Sequence, residues 1–213
     1  MCSKLSIRDD YCSHVTRLKH GQDILSQFVL ALNKLQLNDD FPNIVETMLD
    51  CKGKIVTTGM GKAGIAMRKF TATLCSLGLP SCYIHPGEAS HGDLGLLRED
   101  DILFVASTSG KTREVIEIVN LSRELNVSKV IGITSHPDSK IRDKADIILD
   151  MGIIEEAGHL GLAPTTSILV LLALTDTLAL VCAEEKNLTK EQYGKYHHSG
   201  YLGSAAREDS KIH

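Results

Sequence analysis

Two apolar runs, Lys54-Ile55-Val56-Thr57-Thr58 and Ile102-Leu103-Phe104-Val105-Ala106, each end in a turn of small or hydroxyl-bearing residues that opens directly into a helical pattern. The first turn is Thr58-Gly59-Met60-Gly61-Lys62-Ala63-Gly64, and the second is Ser107-Thr108-Ser109-Gly110-Lys111-Thr112. Strands separated by helical crossovers imply a mostly parallel, doubly wound sheet. Ligands of such sheets gather beyond the carboxyl ends of the strands, where both turns lie.

The rest of the chain fits this plan. A helix is expected over Ile65 to Leu77, stopped by Gly78-Leu79-Pro80, and a second strand over Ser81 to His85. Asp100-Asp101 reads as a solvated turn. Val115, Ile118, Val119 and Leu125 share one helical face. Further strands are expected at Lys129 to Thr134 and Asp146 to Met151, with a short helix at Asp138 to Ala145 between them. Helical patterns at Val15 to Leu37 and Phe41 to Leu49 form an N-terminal arm, and Ala163 to Glu185 makes a core helix with Pro164 at its start. The expected organisation is therefore α/β with five strands: an arm over 1–50, the sheet domain over 51–186, and a polar, turn-rich segment over 187–213.

With 213 residues, 43% of them hydrophobic, the chain can bury the core of one such domain. Its formal charge of −4 comes from interspersed acids and bases, so no nucleic-acid partner is expected. Met1 to Tyr11 lacks the basic head and apolar stretch of a signal peptide, and Thr175-Asp176-Thr177 interrupts the longest apolar tract. Neither secretion nor a membrane span is expected. The six cysteines at 2, 12, 51, 75, 82 and 182 show no C-x-x-C spacing, which favours reduced thiols in a cytoplasm.

Gly59, Gly61 and Gly64 match G-x-G-x-x-G, which alone is compatible with a dinucleotide fold and an NAD-dependent oxidoreductase, or with a plain structural turn. Glu88 falls too late for the ribose-binding acid, and Lys62 breaks the Walker A spacing. Small residues there would instead let backbone N–H groups approach an oxyanion such as phosphate. The hydroxyls of Ser107, Thr108, Ser109 and Thr112 can cap a helix, bind phosphate, or do both. The loop from His85 to Asp93 is either solvated or a lid or wall of the site bearing Glu88, His91 and Asp93, with no spacing diagnostic of a metal. Glu155-Glu156 is a surface pair or the source of a proton-relaying carboxylate, and His197-His198 reads as a surface pair, since a metal tail would need other ligands.

In their order, Gly59-Met60-Gly61-Lys62, His85-Pro86-Gly87-Glu88-Ala89, His91-Gly92-Asp93-Leu94-Gly95 and Leu160-Gly161-Leu162-Ala163-Pro164-Thr165 closely resemble the sugar isomerase (SIS) domain family, and within it the arabinose-5-phosphate isomerases. The resemblance runs from about Ile24 to Gly203. It implies a three-layer αβα sandwich of flavodoxin-like type and interconversion of D-arabinose 5-phosphate and D-ribulose 5-phosphate, a step toward the Kdo sugar of lipopolysaccharide. Matched residue by residue, it implies catalytic roles for Lys62, Glu114, Glu156 and His197. Substrate contacts would come from Gly61, Ser107, Thr108, Ser109, Thr112, Glu88, His91 and Thr165. It also implies a homotetramer that shares active sites between subunits, with no cofactor or metal.

Two departures stand out. The family's S-G-E-S is Ser109-Gly110-Lys111-Thr112 here, placing a cation beside the phosphate turn. Its S-H-P-G-G-A-L-G becomes Tyr196-His197-His198-Ser199-Gly200-Tyr201-Leu202-Gly203, so His198 is an alternative to His197. Longer members continue into paired CBS modules, which a chain ending at His213 is expected to lack. Another phosphosugar isomerase or epimerase, and a phosphosugar-binding regulatory module without catalysis, are the readings to separate from this one.

Overall fold

Five parallel strands form one sheet in the order β2-β1-β3-β4-β5. They are β1 (Ile55–Gly59), β2 (Ser81–Tyr83), β3 (Ile102–Ala106), β4 (Lys129–Thr134) and β5 (Ile147–Asp150). The computed structural model describes residues 14–209, so Cys2, Cys12 and the N-terminal stretch read for a leader lie outside the described residues.

All five residues of β1 and of β3 are buried, because helices cover both faces of the sheet. The period-2 alternation of a strand then divides the core in two. Ile55, Ile102, Phe104 and Ala106 face one apolar cluster, and Val56, Leu103 and Val105 face the other. The first cluster is closed by α1 (His14–Lys34), α2 (Asp40–Asp50), α3 (Gly61–Ser76) and α6 (Thr166–Glu185). Phe70 of α3 meets Phe104 edge to face, with ring centroids 5.5 Å apart. The second cluster is closed by the short α4 (Pro86–Ala89) and by α5 (Arg113–Glu124), which buries Val115, Ile118 and Val119. Three layers result.

α6 is apolar on nearly every side because it packs against α1, α2 and α3 at once. It is long and apolar enough to cross a membrane, yet Leu171, Leu174, Leu178 and Cys182 are core residues here. Burial pushes the Cys182 thiol up to about 11, and Cys51, Cys75 and Cys82 are also free thiols.

Three expectations are corrected. Asp138 to Ala145 is a series of turns, not a helix. The Ser139 hydroxyl accepts the Ile141 N–H at 3.2 Å and so competes with the helical ladder. The polar segment after Asn187 forms α7 (Lys190–Tyr196) and α8 (Gly200–Asp209). A capping box starts α7: Thr189 Oγ1 accepts the Gln192 N–H at 3.2 Å, while Gln192 Oε1 accepts the Thr189 N–H at 2.9 Å.

The third correction concerns Asp100-Asp101. Asp100 is exposed, but Asp101 is 1% exposed and accepts three bonds, from the Lys54 N–H at 2.9 Å, the Arg98 N–H at 2.8 Å and Lys54 Nζ at 2.6 Å. It joins the entries of β1 and β3. Asp101→Ala strands two amide donors and a partly buried cation, and the expected loss is about 3 kcal/mol in a urea unfolding experiment. A loss near zero would show that the carboxylate is dispensable.

Candidate active site

The carboxyl ends of β1, β3 and β4 lie side by side, and the loops leaving them build one concave site. β1 passes into α3 through the glycine turn. A Cβ on Gly64 would lie 2.3 Å from the Gly59 carbonyl oxygen and 2.7 Å from the Tyr83 hydroxyl, so this position admits only glycine at the observed strand–helix spacing. Tyr83 donates to that same Gly59 carbonyl at 2.7 Å, and burial raises its phenol above the usual range, which keeps the donor protonated. Met60 offers α3 no side-chain cap. The first amides of α3 therefore remain available to an anion.

β3 passes into α5 through the hydroxyl turn. Ser107 Oγ pairs with Thr112 Oγ1 at 2.9 Å and accepts the Gly110 N–H at 3.1 Å, while Ser109 Oγ accepts the Lys111 N–H at 3.3 Å. These hydroxyls brace the turn on itself. Thr112 sits at the N-cap of α5 without making a side-chain cap bond, so the capping reading does not account for it. Gly110 has φ +63°, and a Cβ there would fall 1.5 Å from Ser139 Oγ. The turn after β4 is thus wedged beneath the hydroxyl turn, and the Ser135 N–H donates to the Thr108 carbonyl at 3.0 Å.

A cavity of about 300 Å³ opens over these turns. Lys62, Ser107, Thr108, Ser109, Thr112 and Glu156 all line it. Glu156 arrives on the loop between β5 and α6, and its Oε2 accepts the Thr165 N–H at 2.9 Å and the Ser167 N–H at 3.3 Å. The first turn of α6 thereby orients the carboxylate, and Thr165 acts through its backbone. Lys62, on the first turn of α3, is exposed and forms no ion pair among the described residues. Lys111 pairs instead with Asp138 at 3.1 Å, and its ammonium lowers the Asp138 carboxyl from the ordinary value. The departure at position 111 therefore directs its charge to Asp138, and Lys111 does not line the cavity.

Several expected residues lie outside this cavity. Glu114 is half-buried on the first turn of α5, and Gly61 is exposed beside Lys62. Glu88 and His91 are exposed, on α4 and just after it, and face no cavity residue through any hydrogen bond among the described residues. His197 is farther away. It ends α7, stacks on Tyr193 at 4.0 Å, and follows Tyr196, whose ring lies 2.8 Å from where a Gly78 Cβ would stand. Gly78 follows the end of α3 opposite Lys62, and 16 helical residues span about 24 Å. Within one chain, then, neither His197 nor the adjoining His198 joins Lys62.

Two polar cavity residues were not anticipated: His136, two residues past the end of β4, and Ser167, in the first turn of α6. The same rule that singled out the hydroxyl turn, a residue just beyond the carboxyl end of a parallel strand, points to His136. A second cavity of about 420 Å³ meets the first at Glu156, between α1 and residues 151–156. It is lined by Gln27, Lys34 and Glu155 as well as Glu156, but it lacks both Lys62 and the hydroxyl turn, so the anion-binding groups belong to the smaller one.

The family model for the SIS domain matches residues 48–181, from α2 to α6. The chain belongs to the SIS domain family. Among SIS proteins, it is 40% identical over 168 residues to arabinose 5-phosphate isomerase KdsD of Pseudomonas aeruginosa, covering 79% of this chain and 51% of that one. The chain spans about half the length of the curated relatives it matches. Two solved structures match over most of this chain. A candidate phosphosugar isomerase involved in capsule formation, from Bacteroides fragilis, has a TM-score of 0.84 at 39% identity, with 87% of this chain and 99% of that chain covered. An Escherichia coli CFT073 protein in complex with arabinose 5-phosphate has a TM-score of 0.83 at 31% identity, with the same coverage.

Proposed function

We propose that the chain is an aldose–ketose isomerase that interconverts D-arabinose 5-phosphate and D-ribulose 5-phosphate. The observation that carries this reading is the meeting of an oriented carboxylate, Glu156, and an ammonium without an ion-pair partner among the described residues, Lys62, across a cavity floored by the hydroxyl turn. The names of the longer relatives and the arabinose 5-phosphate held by the Escherichia coli neighbour support the choice of substrate.

In this mechanism the phosphate rests on Ser107, Ser109, Thr112 and the first amides of α3, so remote binding energy positions C1 and C2. Glu156 takes the proton from C2 of the aldose and returns it to C1. Its Oε2 is occupied by two amides, which leaves Oε1 for the transfer. The intermediate is a cis-enediol, in which the proton of O2 passes to O1, so that C2 becomes the carbonyl as C1 is protonated. Lys62 stabilises negative charge that develops on its oxygens or supports the phosphate, and Glu114 orients the substrate from the adjoining helix turn.

His197 assists ring opening in this proposal, delivered by a neighbouring copy of the chain. Its distance from Lys62 within one chain favours that arrangement, as do Leu18, Leu25 and Val29, apolar residues left exposed on α1. A homotetramer with shared sites, working in the cytoplasm on the route to the lipopolysaccharide sugar Kdo, is the corresponding assembly and setting. Co-folded mixtures of Lys62→Met and His197→Ala chains should recover activity that neither variant has alone; sites confined to one chain would give no recovery.

The substrate assignment is tested by incubating the purified protein with a panel of aldose and ketose phosphates and identifying products by NMR. Arabinose 5-phosphate and ribulose 5-phosphate should interconvert fastest. Faster turnover of a hexose phosphate would reassign the substrate, and tight binding of the panel without any turnover would make the chain a phosphosugar sensor.

A further inference from the structure

Ser167 is completely buried, and its hydroxyl has no hydrogen-bond partner among the described residues. A buried hydroxyl without a partner is costly, and most buried side-chain polar atoms in folded proteins avoid that state. The neighbouring hydroxyls do so here. Thr166 Oγ1 accepts the Ala157 N–H at 3.0 Å, Thr165 Oγ1 donates to the Ala163 carbonyl at 3.2 Å, and Thr175 Oγ1 donates to the Leu171 carbonyl at 2.8 Å.

The position of Ser167 gives the orphaned group a use. It lines the cavity shared by Lys62, Glu156 and the hydroxyl turn, and its own N–H holds Glu156 Oε2. One residue thus lines the cavity, fixes the carboxylate through its backbone and carries an unpaired hydroxyl. It makes no cap for α6, because it already lies inside the helix.

We propose that Ser167 is a substrate ligand, with Oγ hydrogen-bonded to the oxygen on C2, the carbon served by Glu156. This rests on the isomerase reading above. A hydroxyl suits the task because it both accepts and donates: it accepts from the neutral 2-hydroxyl of the aldose and, once that proton has passed to O1, donates to the negatively charged 2-oxygen of the enediolate. The phosphate end of the substrate is held by other residues. Ser167 therefore recognises the sugar and not the anion, and a site that pairs a substrate hydroxyl discriminates against an analogue lacking it.

The test compares Ser167 with Ser167→Ala in a Glu156→Gln background, where turnover is suppressed and binding is read by calorimetry. With Ser167 present, arabinose 5-phosphate should bind about tenfold more tightly than 2-deoxyribose 5-phosphate, the effect of one hydrogen bond to a well-placed group. The alanine variant should bind the two equally and bind inorganic phosphate as before. In the otherwise unaltered chain, Ser167→Ala should lower kcat/KM for arabinose 5-phosphate by about a hundredfold, as removal of an oxyanion donor does. Its melting temperature should match or exceed that of the parent, because a methyl group loses nothing that the orphaned hydroxyl had gained. Undiminished discrimination in the alanine variant would overturn the proposal, as would a joint fall in melting temperature and phosphate affinity. The binding comparison needs no turnover, so a parent that binds the sugar phosphate without isomerising it would defeat the isomerase reading and still decide the role of Ser167.

Discussion

Glu156→Gln should lower kcat for arabinose 5-phosphate isomerisation by about a thousandfold, within the range that positioned general bases contribute. Substrate binding should change little. The amide oxygen of glutamine can still accept the Thr165 and Ser167 N–H groups that now hold Oε2 at 2.9 and 3.3 Å, so the loop and the start of α6 keep their geometry. What disappears is a base able to take a proton from carbon. The change also removes a negative charge from a helix N-terminus, which costs about 0.5–1 kcal/mol of stability and leaves the protein folded. Stopped assays with calorimetry separate the two quantities. A variant that keeps its rate of solvent-deuterium incorporation at C2 would assign proton transfer to another group, with Glu114 the first to examine.

Lys62→Met should lower kcat/KM by about a hundredfold, the usual effect of removing one preorganised donor from a developing oxyanion. Lys62 is exposed and forms no ion pair among the described residues, so its removal should leave the melting temperature within a degree or two of the parent. The split between kcat and KM says where the ammonium acts. A loss mainly in kcat assigns it to the enediolate, and a loss mainly in KM assigns it to the phosphate. Full activity in the methionine variant would remove Lys62 from the site. Lys111 is the contrasting position, since its ammonium is engaged with Asp138 at 3.1 Å and points its charge away from the cavity.

The sheet was legible because β1 and β3 are buried on both faces and therefore read as unbroken apolar runs. The glycine turn and the hydroxyl turn were legible because each needs residues without bulk. Gly64 lies against the Gly59 carbonyl, and Gly110 against Ser139. Features that depend on distant partners were not legible. Asp101 looks like half of a solvated acidic pair until Lys54 and Arg98 are seen to close on it. The Asp138 to Ala145 run has helical composition, and only the bond from Ile141 N–H to Ser139 Oγ explains why it turns instead. α7 was announced by Thr189 and Gln192 at capping-box spacing, a local signal that the polarity of the segment obscured.

The candidate site divides along the same line. Lys62, Ser107, Ser109, Thr112 and Glu156 follow or precede regular elements within a few residues, so sequence position alone carries them to the carboxyl edge of the sheet. Ser167 enters the cavity through the way α6 docks, which no local pattern encodes, whereas His136, two residues past β4, obeys the strand-end rule. His197 shows the reverse case. The family resemblance assigns it to the site, while α7 carries it to the far end of α3 in its own chain.

The most direct test follows one proton. With purified protein and arabinose 5-phosphate in deuterium oxide, NMR should show ribulose 5-phosphate forming and deuterium entering arabinose 5-phosphate at C2, both abolished by Glu156→Gln. Saturable binding of arabinose 5-phosphate with neither product nor exchange would contradict the account.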